Sequence, residues 1–162
     1  MKNFKLYYIA DEYIDYLRQF DTKVAYNKSK SRPYVGVVYS HEGSNYFVPL
    51  HSPKEKHKKI NDKSVDIYKI KNGELGVINI NNMIPAPMRM LSEVLPIIED
   101  RKYKTLLEKQ LSFLNNNKRA LYEKISWFIF LYQKGRLNQR ILNRCCDFKL
   151  LEKKCIEYDK IY

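Results

Sequence analysis

The stretch PYVGVVYSHEGSNYFVPL, residues 33–50, reads as two strands around a turn. Pro33–His41 and Tyr46–Leu50 are rich in aromatic and β-branched residues, and Glu42-Gly43-Ser44-Asn45 between them is turn material. Gly36, inside the first strand, marks a bulge or a close backbone approach. Pro49 sits near the end of the second, where a missing backbone donor is tolerated. The chemistry then changes at once to HSPKEKHKK, residues 51–59, with Glu55 as its only acid. The segment before the hairpin, Thr22–Arg32, is also polar and carries Lys23, Tyr26, Lys28, Lys30 and Arg32. In a hairpin, the segment entering the first strand and the one leaving the second share an end, about one strand spacing apart. Two basic loops thus fall together. Two readings of the second loop stand: a solvated turn, or a strand-delivered phosphate site.

Outward from the hairpin, Phe4–Ala10 reads as a strand, and Asp11 is placed to N-cap a helix running to Phe20. Tyr13, Ile14, Leu17 and Phe20 recur at helical spacing, as core positions do. Val65–Ile70 and Leu75–Ile80 are strands around the turn Lys71-Asn72-Gly73-Glu74. Arg89–Asp100 is a connection with one short strand or helical turn. From Lys102 the apolar residues Leu107, Leu111, Leu114, Leu121, Ile125 and Phe128 form a helical stripe, which Asn115-Asn116-Asn117 kinks or splits and Gly135 stops. Leu137–Arg144 is a short helix, with Arg136, Arg140 and Arg144 spaced on one face as either a solvated side or a phosphate-facing ridge. Asp147 N-caps a last helix, Phe148–Tyr158. Without βαβ alternation or a glycine-rich phosphate loop, the pattern is α+β with a twisted, mostly antiparallel sheet.

At 162 residues the chain is expected to form a single domain, 1–162, large enough for a real core. Its formal charge is +12, of which residues 1–100 contribute +3 and residues 101–162 contribute +9. That asymmetry points to a polyanionic partner, and nucleic acid is the commonest. Fourteen Tyr and seven Phe supply the core and also flat faces on which bases stack. Asp11-Glu12 interrupts any signal-peptide core, and the longest apolar run, Trp127–Leu131, is too short to span a bilayer. Cys145, Cys146 and Cys155 suit buried thiols in a reducing cytoplasm, and no second pair or nearby His completes a zinc set. Asp62 and Asp66 read as partners in surface salt bridges.

PLHSPKEKH after a hairpin containing RPYVGVV resembles the signature of the type III toxin–antitoxin endoribonucleases, the ToxN/AbiQ family. FKLYYIADEYIDYLRQFD, LGVININNMIPAP and CDFKLLEKKCIEY fit the same pattern in the same order. The resemblance implies a partly open, SH3-like barrel with a Kid/MazF-like core, surrounded by helices. It also implies an endoribonuclease toxin with a role in phage defence by abortive infection. Its substrates would be cellular or phage RNA. Its inhibitor would be a small RNA of tandem repeats, each folded as a pseudoknot, which the toxin processes and joins in a closed hetero-oligomer. DNA and membrane are not expected partners, and no cofactor or metal is expected.

The family pattern has Thr-Ser-Pro-Lys where this chain reads His51-Ser52-Pro53-Lys54, so Ser52 and Lys54 match and His51 stands in the Thr position. Counted from Val35-Gly36-Val37, Arg32 falls on the family's upstream Lys, and Tyr26, Lys28 and Lys30 are rival occupants of the Tyr/Lys region beside it. The chemistry is attack of a 2′-hydroxyl on the adjacent phosphorus, leaving a 2′,3′-cyclic phosphate and a 5′-hydroxyl. It needs a base, an acid and neutralisation of phosphoryl charge. Ser52, Lys54, His51, Arg32 and Tyr26 are the catalytic candidates. Lys28, Lys30, Lys56, His57, Lys58, Lys59, Arg136, Arg140 and Arg144 are the RNA-binding candidates. The competing reading is a non-catalytic SH3-like RNA-binding module with the same basic face.

Overall fold

The computed structural model describes residues 1–27 and 31–162. Lys28 and Lys30 lie outside the described residues. The chain is α+β. Among the described residues its sheet has seven strands: β1 (Lys5–Ile9), β2 (Tyr34–His41), β3 (Ser44–His51), β4 (Ile67–Lys69), β5 (Val77–Asn79), β6 (Ile84–Pro85) and β7 (Leu91–Glu93). All pairings are antiparallel, in the order β4-β5-β3-β2-β1-β7 with β6 attached to β3, and the sheet does not close. The helices are α1 (Asp11–Arg18), α2 (Glu55–Lys58), α3 (Arg101–Asn116), α4 (Lys118–Gln133), α5 (Gln139–Arg144) and α6 (Phe148–Ile161).

The β2–β3 hairpin is the spine. Glu42 and Gly43 turn it with positive φ at both positions, the geometry that matches strand twist in a two-residue loop. Pairing runs from His41↔Ser44 to Tyr34↔Pro49, with a register shift between Gly36 and Tyr39. Gly36 is a close approach as well as a bulge: a Cβ there would meet the Phe47 ring at 2.1 Å. On its other side β3 pairs with β6 at Tyr46 and Phe47, and with β5 at Leu50 and His51. Two short strands thus share the edge that β2 leaves open.

Helices cover the sheet through long-range contacts. The α4 Tyr122 hydroxyl donates to the Val37 carbonyl of β2 (3.3 Å). From α6, Phe148 packs edge-on against Tyr46 (6.2 Å), and Tyr158 packs on Tyr13 and Tyr16 of α1 at 5.0 and 4.8 Å. The Asn115–Asn117 run splits α3 from α4 at Asn117, as its composition suggests. Asn115 also pairs with the Phe4 backbone in both directions, at 2.7 and 3.2 Å. Asp147 caps α6 by accepting from the Leu150 N–H (3.1 Å).

Asp11 is not the N-cap of α1. It is the first helical residue, Ala10 is the cap, and the Asp11 carboxylate instead accepts from the Asn27 amide (2.6 Å). The three cysteines are free and buried. Among the described residues, no helix is long and apolar enough to cross a membrane.

Gly36→Ala is expected to lower stability by about 1–3 kcal/mol, the usual cost of overpacking a rigid site. Urea unfolding measures it. Shortening the ring with Phe47→Leu in the same chain should recover part of the loss.

Candidate active site at the β3 end

The last pairing of the hairpin sets the site. The Leu50 N–H donates to the Pro33 carbonyl (3.0 Å), so Arg32 enters the sheet directly beside the point where His51 and Ser52 leave it. Val77 of β5 pairs with His51 from the other side. His51 is half-buried, and the Asn79 amide lies 3.2 Å from its Nε2. With that nitrogen donating, Nε2 is the acceptor and the neutral ring carries its proton on Nδ1.

The His51 backbone is braced from below. Gly76 has φ +102°, and a Cβ on it would lie 2.0 Å from the His51 carbonyl oxygen. Gln110, buried on α3, donates to the Leu75 carbonyl (2.7 Å) and reaches the His51 carbonyl (3.5 Å). Asn79, Gln110 and Gly76 were not among the candidates. Each acts through a contact distant in sequence, and a Gly within the Leu75–Ile80 run is the one local signal that could have found any of them.

On the other loop, the Arg32 Nε donates to the Tyr26 carbonyl (2.7 Å), and the Arg18 guanidinium lies 3.5 Å over the Tyr26 ring. Arg18 also donates to the Thr22 and Val24 carbonyls. Asn27 is buried and donates to the Ile9 carbonyl (2.6 Å). Tyr26 and Arg32 are therefore anchored to one another and to the first helix. Tyr103 of α3 is close enough for the Arg32 charge to oppose the upward push that burial gives its phenol.

Past the strand, Ser52 and Lys54 are exposed, and Lys54 precedes the single turn of α2. His57 does not face solvent as a phosphate contact would. It is buried, its Nδ1 accepts from the Lys54 N–H (3.1 Å), and the Gly73 turn packs against its backbone. Burial pushes its pKa down, and the Lys56 and Lys54 charges push the same way. His57 thus shapes the backbone that presents Lys54. Lys56, Lys58 and Lys59 are exposed, and Lys58 pairs with Glu55 (3.1 Å). Lys69 holds the loop exit through the Lys58 and Ile60 carbonyls and Asp62, at 3.0–3.2 Å.

The arginine ridge does not form as a ridge. Arg136 precedes α5, in the turn after α4, and only Arg140 and Arg144 are helical. Arg136 and Arg140 are exposed, but Arg144 donates to Asp66 through two nitrogens, at 2.8 and 2.9 Å. Asp66 is fully buried, so it is no surface salt-bridge partner, whereas the Asp62–Lys69 pair (3.0 Å) is exposed on its acid side.

A strand end that presents a hydroxyl, an imidazole and a lysine beside an anchored arginine has the donors and cations that grip a phosphodiester. The class is an α+β protein with an exposed cationic loop at a hairpin end. Residues 5–155 match the family model described as Toxin ToxN, type III toxin-antitoxin system. The chain is 40% identical to "Endoribonuclease ToxN" of Bacillus thuringiensis subsp. kurstaki, over 96% of this chain and 84% of that one. A solved structure described as "New insights into the mechanism of bacterial Type III toxin-antitoxin systems: selective toxin inhibition by a non-coding RNA pseudoknot" superposes with a TM-score of 0.81. It is 35% identical and covers 98% of this chain and 99% of that one. Another, "Structure and activity of AbiQ, a lactococcal anti-phage endoribonuclease belonging to the type-III toxin-antitoxin system", has a TM-score of 0.84 at 29% identity, covering 98% and 99%. The chain belongs to the ToxN toxin family of type III toxin–antitoxin systems.

Two stability outcomes follow. Arg144→Ala is expected to cost about 2 kcal/mol in urea unfolding, because it leaves the buried Asp66 carboxylate without its cation. His57 has a folded pKa below its unfolded value near 6.5, so the unfolded chain binds the extra proton. The stability it contributes is full above pH 6.5 and is lost as pH falls from there through the folded pKa. The gap in melting temperature between wild type and His57→Asn should therefore be widest at pH 7.5 and narrow towards pH 5.

Proposed function

We propose that this chain is an endoribonuclease toxin of a type III toxin–antitoxin system, acting as one domain over residues 1–162. The observation that carries the site assignment is the Leu50–Pro33 hydrogen bond, which seats Arg32 beside His51-Ser52-Pro53-Lys54. The extent of the likeness to endoribonucleases supports the reaction class.

In the proposed reaction the 2′-oxygen attacks phosphorus, the P–O5′ bond breaks, and no metal takes part. The products are a 2′,3′-cyclic phosphate and a 5′-hydroxyl. The Ser52 hydroxyl donates to a non-bridging oxygen, and Arg32 and Lys54 neutralise the charge that builds there. His51 and Lys54 are the proton carriers, and Tyr26, whose carbonyl holds Arg32, is the third candidate. Asn79 keeps the His51 ring oriented. Lys56, Lys58, Lys59, Arg136 and Arg140 extend a cationic surface along which RNA is held.

The regulating partner on this reading is a pseudoknotted repeat RNA that the toxin processes and binds in a closed assembly. The setting is cytoplasmic defence against phage. The open sheet is read as the partly open, SH3-like barrel core of that toxin class, since β3 is gripped on one side by β2 and on the other by β5 and β6.

The test is cleavage of a long single-stranded RNA in EDTA, wild type against Ser52→Ala, with product ends mapped. Cyclic phosphate ends from wild type, and a rate at least about 100-fold lower in Ser52→Ala with RNA affinity kept, are expected. Tight binding with no cleavage by either protein would leave the non-catalytic RNA-binding module in its place.

A further inference from the structure

The far end of the same hairpin carries a cavity of about 580 Å³, within the range of small-ligand sites. Tyr46, which lines it, stands five residues before His51 on β3, or about 17 Å away along the strand. The cavity's walls are aromatic. Tyr39 and His41 alternate on β2, so their side chains leave one face of the sheet. Their rings are parallel within 7°, with centroids 6.4 Å apart. Tyr132, at the end of α4, packs on Phe148 of α6 at 4.8 Å, and Tyr46 packs on Phe148 from the sheet.

Two carboxylates line the cavity, Asp147 and Glu152, and Asp147 is engaged in capping α6 through the Leu150 N–H. Glu152 of α6 accepts from the Tyr46 hydroxyl (2.6 Å) and pairs with His41 Nδ1 (2.8 Å). Its side chain is 13% exposed. An ionised carboxylate has about four acceptor positions, so these two partners leave it able to accept further N–H donors. Lys149 also lines the cavity.

Flat walls around an acceptor-only edge suit a planar heteroaromatic ring with N–H donors, and the nearby lysine suits an attached phosphate. We propose that this cavity binds one unpaired nucleobase bearing an exocyclic amine, stacked on the Tyr39/His41/Tyr132 walls with its amine donated to Glu152. Adenine, guanine and cytosine carry that amine. Uracil carries two carbonyls instead, and they repel the carboxylate. A guanidinium would also satisfy rings and carboxylate, but a chain of formal charge +12 repels cationic partners and attracts nucleotides. The proposal rests on the chain acting on RNA and adds a base-selective subsite remote from the cutting loop.

The full chain is titrated with AMP, GMP, CMP, UMP and free arginine, followed by amide chemical shifts. AMP, GMP and CMP should shift resonances around Tyr39, His41, Tyr132 and Glu152, with UMP at least about tenfold weaker. Tyr132→Ala should weaken binding by about tenfold or more, the usual loss of one stacking partner. Glu152→Gln should erase the preference over UMP, and Tyr132→Ala stands independently if that variant misfolds. Both variants should cut a short single-stranded RNA at the wild-type rate. Equal binding of UMP, tighter binding of arginine, or shifts confined to another surface would overturn the assignment. If wild type cuts RNA and the variants bind nucleotides as it does, only the subsite fails. If wild type neither cuts nor binds RNA, the enzyme reading fails with it.

Discussion

The pairing of β2 with β3 is the constraint on which the rest of the molecule depends. It is the longest ladder in the sheet, and it is pinned at both ends: by the Glu42-Gly43 turn, and by the Leu50 N–H on the Pro33 carbonyl. Between them Phe47 fills the space that Gly36 leaves by having no side chain. A slip of one residue would part Gly36 from Phe47, whose ring needs the space of a missing Cβ, and would also shift Arg32 relative to Ser52. Stability and chemistry are therefore set by the same register.

The site is built by bracing, not by clustering. His51 is held at its ring by Asn79, at its carbonyl by Gln110, and below by the bare Gly76 backbone. Tyr26 is held under Arg18 while its carbonyl holds Arg32. Ser52 and Lys54 lie exposed on a short segment between two fixed points, β3 and the buried His57. A cationic loop left loose would bind phosphate at a cost in ordering. Here both ends of the loop are already anchored, at β3 and at His57.

Much of this was legible from residue order. The hairpin, the split at Asn117, the Asp147 cap and the meeting of the two basic loops follow from local patterns, because turn chemistry and strand pairing are short-range. What was not legible depended on distant partners. Nothing near His57 in sequence announces that the turn at Gly73 will bury it. Asp66 and Arg144 are 78 residues apart, and their charges look as solvated as any others in the chain. Asp11 has the chemistry of a cap, but Asn27 takes its carboxylate into the loop instead. β6 and β7 span two and three residues, too few for alternation to register.

The hairpin that carries the basic loop is complete by residue 51, yet its cover arrives late. Tyr122 reaches Val37, Phe148 and Glu152 reach Tyr46, and Tyr158 seals α1. Those contacts span 85 to 145 positions of sequence, so the cover of the hairpin depends on distant, late-synthesised elements. A nascent chain that stops short of residue 148 holds every catalytic candidate and none of the α6 contacts that cover the far end of the hairpin and α1. Such a chain would leave the Tyr46 and Tyr13 rings uncovered, an apolar surface of the kind that promotes aggregation.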